Sequence, residues 1–343
     1  MDNIRIGIIG LGRFAAQHGR IWRQMPNVEV VAVCDRNPDQ FPAFKEWFPK
    51  AECYLDWERM FEQEQLDAVD ILTPEHLHVE PVLAAFQAGV HVFVEKPLAH
   101  TPKDANLLLQ AAIKYDRLLV TGHVLRFDAR YAAVKQELAE GRMGAIRSIY
   151  AKRNNGKKFF PIYNRINPVF ILGIHDIDLM HWYMEDQVRE VTAVGTSGSG
   201  HPASPADVSW AMLTFTKGGV GILENNWLLP DGAPSFADVR MEITASEGMI
   251  EIKEPESGVV YAGNTKTDLL SLHSGYELHG RMMGPLAAEL EHFAHCVSSG
   301  RQSNILRTTD ALRAVQVAWA VQQSAELGRP ILLSALESLE SGN

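Results

Sequence analysis

Gly10, Gly12 and Ala15 make the pattern GxGxxA, placed after an apolar run at 4–9 and before a segment of helical periodicity. Each small residue suits a separate task. Gly10 permits a tight turn, the bare backbone at Gly12 lets a large anion approach, and Ala15 lets the following helix pack close to the strand. The free N–H groups and positive dipole end at that helix start suit a pyrophosphate. Arg13 and Phe14 flank the same turn. Asp35 follows a second apolar run about 20 residues further on, where a carboxylate accepts hydrogen bonds from ribose hydroxyls and repels a 2′-phosphate. NAD is therefore expected over NADP, although the Arg36 guanidinium is of the type that holds such a phosphate.

Two further residues suit proton and charge handling. Lys96 lies in Glu95-Lys96-Pro97 at the end of an apolar run, the strand end at which open α/β sheets bind ligands. A partly buried ammonium there would hydrogen-bond a substrate oxygen and stabilise developing alkoxide charge, and a neighbouring nicotinamide cation would lower its pKa. His175 offers an imidazole that titrates near neutral pH, a suitable acceptor for a hydroxyl proton when a hydride leaves for nicotinamide. Thr73, Pro74, His76 and His78 mark another strand end and are expected, with Glu95 and Lys96, to contact the cofactor. His123 and Arg126 also follow a strand end, facing either the cleft or the packing of the next helix. Arg153 and Asn155, at the end of a later strand, are candidate substrate contacts with Lys96, His123 and His175. No metal is expected. His175, Asp178 and His181 would fan across roughly 120° of one helix, and oxidation by NAD needs no metal. Trp227 reads as a core residue on a strand face.

The elements that must position these residues follow from hydrophobic periodicity. Strands are expected at 4–9, 28–34, 67–72, 90–94 and 118–121, with helices to about 25 and at 38–47, 76–88 and 101–115. That alternation predicts a parallel sheet with helices on both faces. From about 122 the rhythm changes to a helix at 129–140 and strands at 146–153, 188–196, 208–215, 220–227, 239–244 and 249–252. Turns such as Lys217-Gly218-Gly219 and Glu247-Gly248 join some of them into hairpins. Helices return at 285–298 and 308–327, and 196–205 reads as a loop. The fold class is α/β: an N-terminal Rossmann doubly wound parallel sheet over 1–122 and a C-terminal α+β domain over 123–343, whose last helices are expected to pack back on the first.

Composition narrows the remaining classes. With 343 residues, 46% of them hydrophobic and 22% charged, the chain can bury two ordinary cores. A net charge of −10 and the lack of a basic patch argue against nucleic acid. The three cysteines lack any CxxC spacing, which suits a reducing compartment. The N-terminus reads as no signal peptide, and no apolar stretch approaches the roughly 18 residues of a membrane span. A cytoplasmic location is expected.

Glu95-Lys96-Pro97, together with Thr73-Pro74-Glu75-His76-Leu77-His78, resembles the Gfo/Idh/MocA family, which includes glucose–fructose oxidoreductase and inositol dehydrogenases. Supporting segments are Gly122-His123-Val124-Leu125-Arg126-Phe127, Gly173-Ile174-His175-Asp176-Ile177-Asp178 and Gly248-Met249-Ile250-Glu251-Ile252. The resemblance implies that Lys96 and His175 complete one site beside the nicotinamide, that Asp178 contacts substrate, and that Pro97 is cis. It also implies a large open-faced, mostly antiparallel sheet in the second domain, used for homodimer or homotetramer contacts. The expected activity is hydride transfer between NAD and a hydroxyl of a sugar, polyol or cyclitol. The alternatives are an NADP-dependent reductase of a keto-sugar or imine, and a non-catalytic regulator that senses NAD or a sugar. One departure stands out. Many sugar-oxidising members carry a carboxylate four residues before the histidine, where this chain has Ile171. Asp176 is not expected to replace it, since adjacent helical residues point about 100° apart.

Overall fold

The computed structural model describes residues 3–197, 206–254, 260–262, 267–269 and 275–336. Two compact units divide the chain: Met1–Phe127 with His273–Leu312, and Asp128–Leu272 with Arg313–Asn343.

The first unit alternates β1 (Ile4–Ile9), α1 (Ala15–Trp22), β2 (Val28–Cys34), α2 (Phe41–Trp47), β3 (Glu52–Tyr54), α3 (Trp57–Gln63), β4 (Ala68–Ile71), α4 (Val79–Gln87), β5 (His91–Val94), α5 (Pro102–Tyr115) and β6 (Leu119–Thr121). All six strands pair in parallel, in the order β3-β2-β1-β4-β5-β6, the doubly wound arrangement. β4 is buried throughout and β1 and β5 nearly so, which is why they read as unbroken apolar runs. Local signals set the helix starts. Asp56 caps α3 by accepting the Arg59 N–H at 2.9 Å, and Thr101 caps α5 ahead of Pro102. β3 and α3 are additional to the elements expected from periodicity, and α1 ends at Trp22 rather than near residue 25.

The second unit begins with α6 (Ala129–Ala139), β7 (Ile146–Gly156) and the short α7 (Phe160–Tyr163). A π-helical stretch, Val169–Gly173, then runs into α8 (Ile174–Met184). β8 (Val188–Thr196), β9 (Val208–Phe215), β10 (Val220–Leu229), β11 (Ala237–Ala245) and β12 (Met249–Glu254) follow, with a small hairpin of β13 (Val260–Ala262) and β14 (Thr267–Leu269). Most of the loop expected at 196–205 lies outside the described residues. The chain then supplies the first unit with a hairpin, β15 (Tyr276–Leu278) and β16 (Arg281–Met283), and with α9 (Pro285–Ser299). α10 (Thr308–Leu327), β17 (Ile331–Leu332) and a 3-10 turn, Leu333–Ala335, end the described chain, and most of α10 belongs to the second unit.

The second sheet has the order β12-β11-β7-β10-β9-β8-β17, and only its β7–β10 pair is parallel. Burial alternates along β9 and β10, so one face is covered and the other open. The π-helical stretch and α8 contact β7 and β10. The opposite face leaves Val194, Trp210 and Met212 substantially exposed.

In the first unit, α9 closes the core against α1 and the sheet. The Phe293 ring meets Trp22 at 6.4 Å and Phe93 at 5.5 Å, with Ile6, Leu290 and Val120 in the same cluster. Among the described residues, no helix is long and apolar enough to cross a membrane.

Candidate active site

Parallel pairing brings the ends of β1, β2, β4 and β5 to one edge of the first sheet, and every sequence-predicted cofactor residue follows one of those ends. The glycine loop is shaped by two different constraints. Gly10 has φ of +88°, and a Cβ there would stand 2.9 Å from the backbone of Leu72 and Thr73. Only glycine fits this approach of the first turn to the end of β4. At Gly12 a Cβ would meet nothing within 4 Å, so the second glycine keeps open space over the loop rather than relieving a clash inside the protein.

Asp35 fastens the loop. One carboxylate oxygen accepts the Leu11 N–H at 2.7 Å and the other the Asn37 N–H at 2.8 Å. Each oxygen keeps lone pairs for ribose hydroxyls. α1 begins without a side-chain cap, so its first N–H groups remain available to phosphate oxygens. Arg13 and Arg36 are exposed and Phe14 is 38% exposed beside them. Clear space over Gly12, uncapped donors and an anchored carboxylate together fit a dinucleotide.

Thr73 and Pro74 stand at the end of β4, and His76 is exposed, its Nδ1 3.8 Å from a Glu75 oxygen. His78 occupies a different place. It is buried, with Nε2 2.9 Å from the Thr73 carbonyl and Nδ1 3.0 Å from the Pro97 carbonyl. It therefore ties the end of β4 to the segment after β5, and burial pulls its pKa below the usual imidazole value. Glu95 is buried and Lys96 half-buried, and the Lys96–Pro97 peptide is cis. His123 is buried at the end of β6. Arg126 is turned to packing: its guanidinium pairs with Asp310 at 3.1 Å and reaches the Ile305 carbonyl at 2.6 Å, both in the returning segment.

In the second unit, every residue from 166 to 181 is buried except His175. Its Nδ1 is buried, and the residue as a whole is only partly so. Asp178 is buried on the same helix. The π-helical stretch changes the meaning of Ile171. The Ile174 N–H bonds to the Val169 carbonyl, a five-residue closure, so a count of four residues back from His175 does not mark one α-helical turn.

Arg153 does not present a free guanidinium. It is buried and grips both oxygens of Asp176, at 3.0 and 2.8 Å, with Tyr131 Oη 3.4 Å away. Asp176 is thereby committed to β7 and does not replace the missing acid. Asn155 Oδ1 is buried with no hydrogen-bond partner among the described residues, as is Trp227 Nε1. Trp227 is a core residue stacked on Tyr163 at 5.3 Å. Among the described residues, no group of three His, Cys, Asp or Glu side chains could hold a metal ion.

Sequence reasoning missed His18 and Asp70, which are wholly buried beneath Glu95. The available signal was Asp70 itself, a carboxylate inside a four-residue run, Ala68–Ile71, that otherwise reads as a fully buried strand.

The strand order, the glycine turn and the anchored acid at the end of β2 define a Rossmann-type dinucleotide-binding oxidoreductase. The chain belongs to the Gfo/Idh/MocA family. Residues 4–123 match the family's "Oxidoreductase family, NAD-binding Rossmann fold" and residues 131–251 its "GFO/IDH/MocA C-terminal domain". The myo-inositol 2-dehydrogenase of Thermotoga maritima is 27% identical over 335 residues, covering 96% of this chain and 98% of that protein. The scyllo-inositol 2-dehydrogenase (NAD(+)) of Bacillus subtilis is 25% identical, covering 96% of each. Among solved structures, scyllo-inositol dehydrogenase from Lactobacillus casei with bound NAD(H) and scyllo-inositol shares the fold, with a TM-score of 0.82 and 20% identity over 97% of this chain and all of that one.

Proposed function

We propose that this protein is an NAD-dependent dehydrogenase that oxidises one secondary hydroxyl of a cyclitol or a related sugar. The observation that carries the reading is Lys96, a half-buried ammonium at the ligand-binding edge of a sheet whose first turn is built for a dinucleotide. The names of the inositol-oxidising relatives support the substrate class. Gly10, Gly12, the start of α1 and Asp35 hold the cofactor. Bound NAD supplies the hydride acceptor.

The residues of the chain do the rest. Lys96 donates a hydrogen bond to the reacting oxygen and stabilises negative charge as it develops. His175 is the proposed acceptor of the hydroxyl proton; Asp176, gripped by Arg153, holds the start of α8 on which that imidazole stands. Asn155 offers an amide oxygen to a substrate hydroxyl, and Asp178 is a second candidate contact. The exposed Val194, Trp210 and Met212 support association of copies into a homodimer or homotetramer, and the three free cysteines support a cytoplasmic location.

The test is reduction of NAD, followed by absorbance, with a panel of myo-inositol, scyllo-inositol and simple aldoses. Saturable turnover with at least one cyclitol or sugar is expected. Tight NAD binding without turnover across the panel would reject the reading.

A further inference from the structure

Inside the first unit lies a charged chain that the reaction as outlined does not use. His18, on α1, is completely buried. Its Nδ1 is 2.9 Å from Asp70 Oδ2 on β4, an oxygen that also accepts the Trp22 indole N–H at 2.7 Å. Its Nε2 stands 3.6 Å from Glu95 Oε1, an ion-pair separation just beyond hydrogen-bond reach, and the other Glu95 oxygen accepts the backbone N–H of Lys96 at 3.1 Å. Phe14 and Phe93 pack against the imidazole at steep interplanar angles, with ring centroids at 5.1 and 5.7 Å. A second element is shaped around the same carboxylate: a Cβ at Gly122 would stand 2.6 Å from Glu95 Oε1.

Burying two carboxylates and an imidazole is costly, and an apolar side chain of similar volume fills a core at least as well. Burial alone would lower the His18 pKa, but Asp70 and then Glu95 outweigh it and push it up to about 10. His18 thus lies between two carboxylates, one facing the core and one adjoining Lys96.

We propose that His18 is a positioning residue for the dehydrogenase reaction. Held by Asp70, it fixes the Glu95 carboxylate, and Glu95 fixes the peptide from which the Lys96 side chain departs. This rests on the reading of Lys96 as a catalytic group.

The amide nitrogen of Asn stands near the Nδ1 position of histidine and that of Gln near Nε2, so two variants separate the contacts. His18→Asn keeps a donor for Asp70 and falls short of Glu95, whereas His18→Gln reaches Glu95. Turnover and NAD affinity are measured for both. The pH dependence of Lys96 acylation by acetic anhydride is followed by mass spectrometry in the cofactor-free protein. We expect His18→Asn to lower kcat tenfold or more and to shift the Lys96 acylation profile, with His18→Gln recovering most of both. NAD affinity stays within about threefold. Adding His18→Asn to Glu95→Gln should cost little beyond Glu95→Gln alone, because His18 acts through that carboxylate.

Unchanged acylation in His18→Asn, a larger defect in His18→Gln than in His18→Asn, or additive losses in the double variant would overturn the proposal. Should His18→Asn fail to fold, Glu95→Gln carries the same test. It leaves the His18–Asp70 pair intact and must shift the Lys96 profile; an unshifted profile refutes the proposal. Lys96→Ala, assayed in parallel, keeps the two ideas distinguishable. Retained turnover there removes the role of Lys96, while the acylation data still decide whether His18 positions it.

Discussion

The two loop glycines should fail in opposite ways. Gly10→Ala meets a backbone penalty and a steric one together. An L-residue in the left-handed region costs roughly 1–2 kcal/mol, and the new Cβ at 2.9 Å from the Leu72 and Thr73 backbone has no flexible side chain to displace. With strain at the end of β4 added, a loss of about 2–4 kcal/mol in folding stability is expected. Gly12→Ala meets nothing within 4 Å, so its stability should change by less than about 0.5 kcal/mol. The space it fills is the space a pyrophosphate needs. NAD binding should weaken at least tenfold, equivalent to about 1.4 kcal/mol. Urea denaturation gives the first pair of numbers, and titration calorimetry with NAD gives the second. A Gly12→Ala protein that binds NAD as tightly as wild type, or that unfolds as easily as Gly10→Ala, would refute the division of labour.

Arg153→Met should destabilise the second unit by roughly 3–5 kcal/mol, because Asp176 is left buried without its cation. Adding Asp176→Leu should restore most of that loss in the same denaturation assay; no recovery would place the importance of Arg153 elsewhere. His18 sets a pH signature. Its folded pKa of about 10 lies above the ordinary 6.5, so its contribution is full below pH 6.5 and is lost as pH rises through 10. Wild type should therefore exceed His18→Gln in stability by a few kcal/mol at pH 6, with the gap closing by pH 10. A gap independent of pH would contradict the charged assignment.

The first unit was largely legible because parallel strands buried on both faces read as continuous apolar runs, and the glycine turn and Asp35 have spacings set by a ligand. The second sheet was legible in outline from alternation and glycine turns. Short elements escaped: β3 has three residues, and α3 is mostly polar, so neither builds a period. The π-helical stretch was invisible because it differs from an α-helix only in its hydrogen-bond closure, yet it changes what four residues before His175 means. Partnerships across long separations were also hidden. Arg153 reads as a candidate substrate contact by strand position, and its commitment to Asp176 emerges only when β7 and α8 meet. His78 similarly reads as a cofactor contact, and the structure uses it to tie two strand ends together.

Lys96→Ala assayed with matched NAD binding tests the central claim most directly. If the half-buried ammonium stabilises charge on the reacting oxygen, kcat should fall by about 10²–10³ with NAD affinity nearly unchanged. Turnover within a few-fold of wild type, or equal losses in turnover and NAD affinity, would contradict the account.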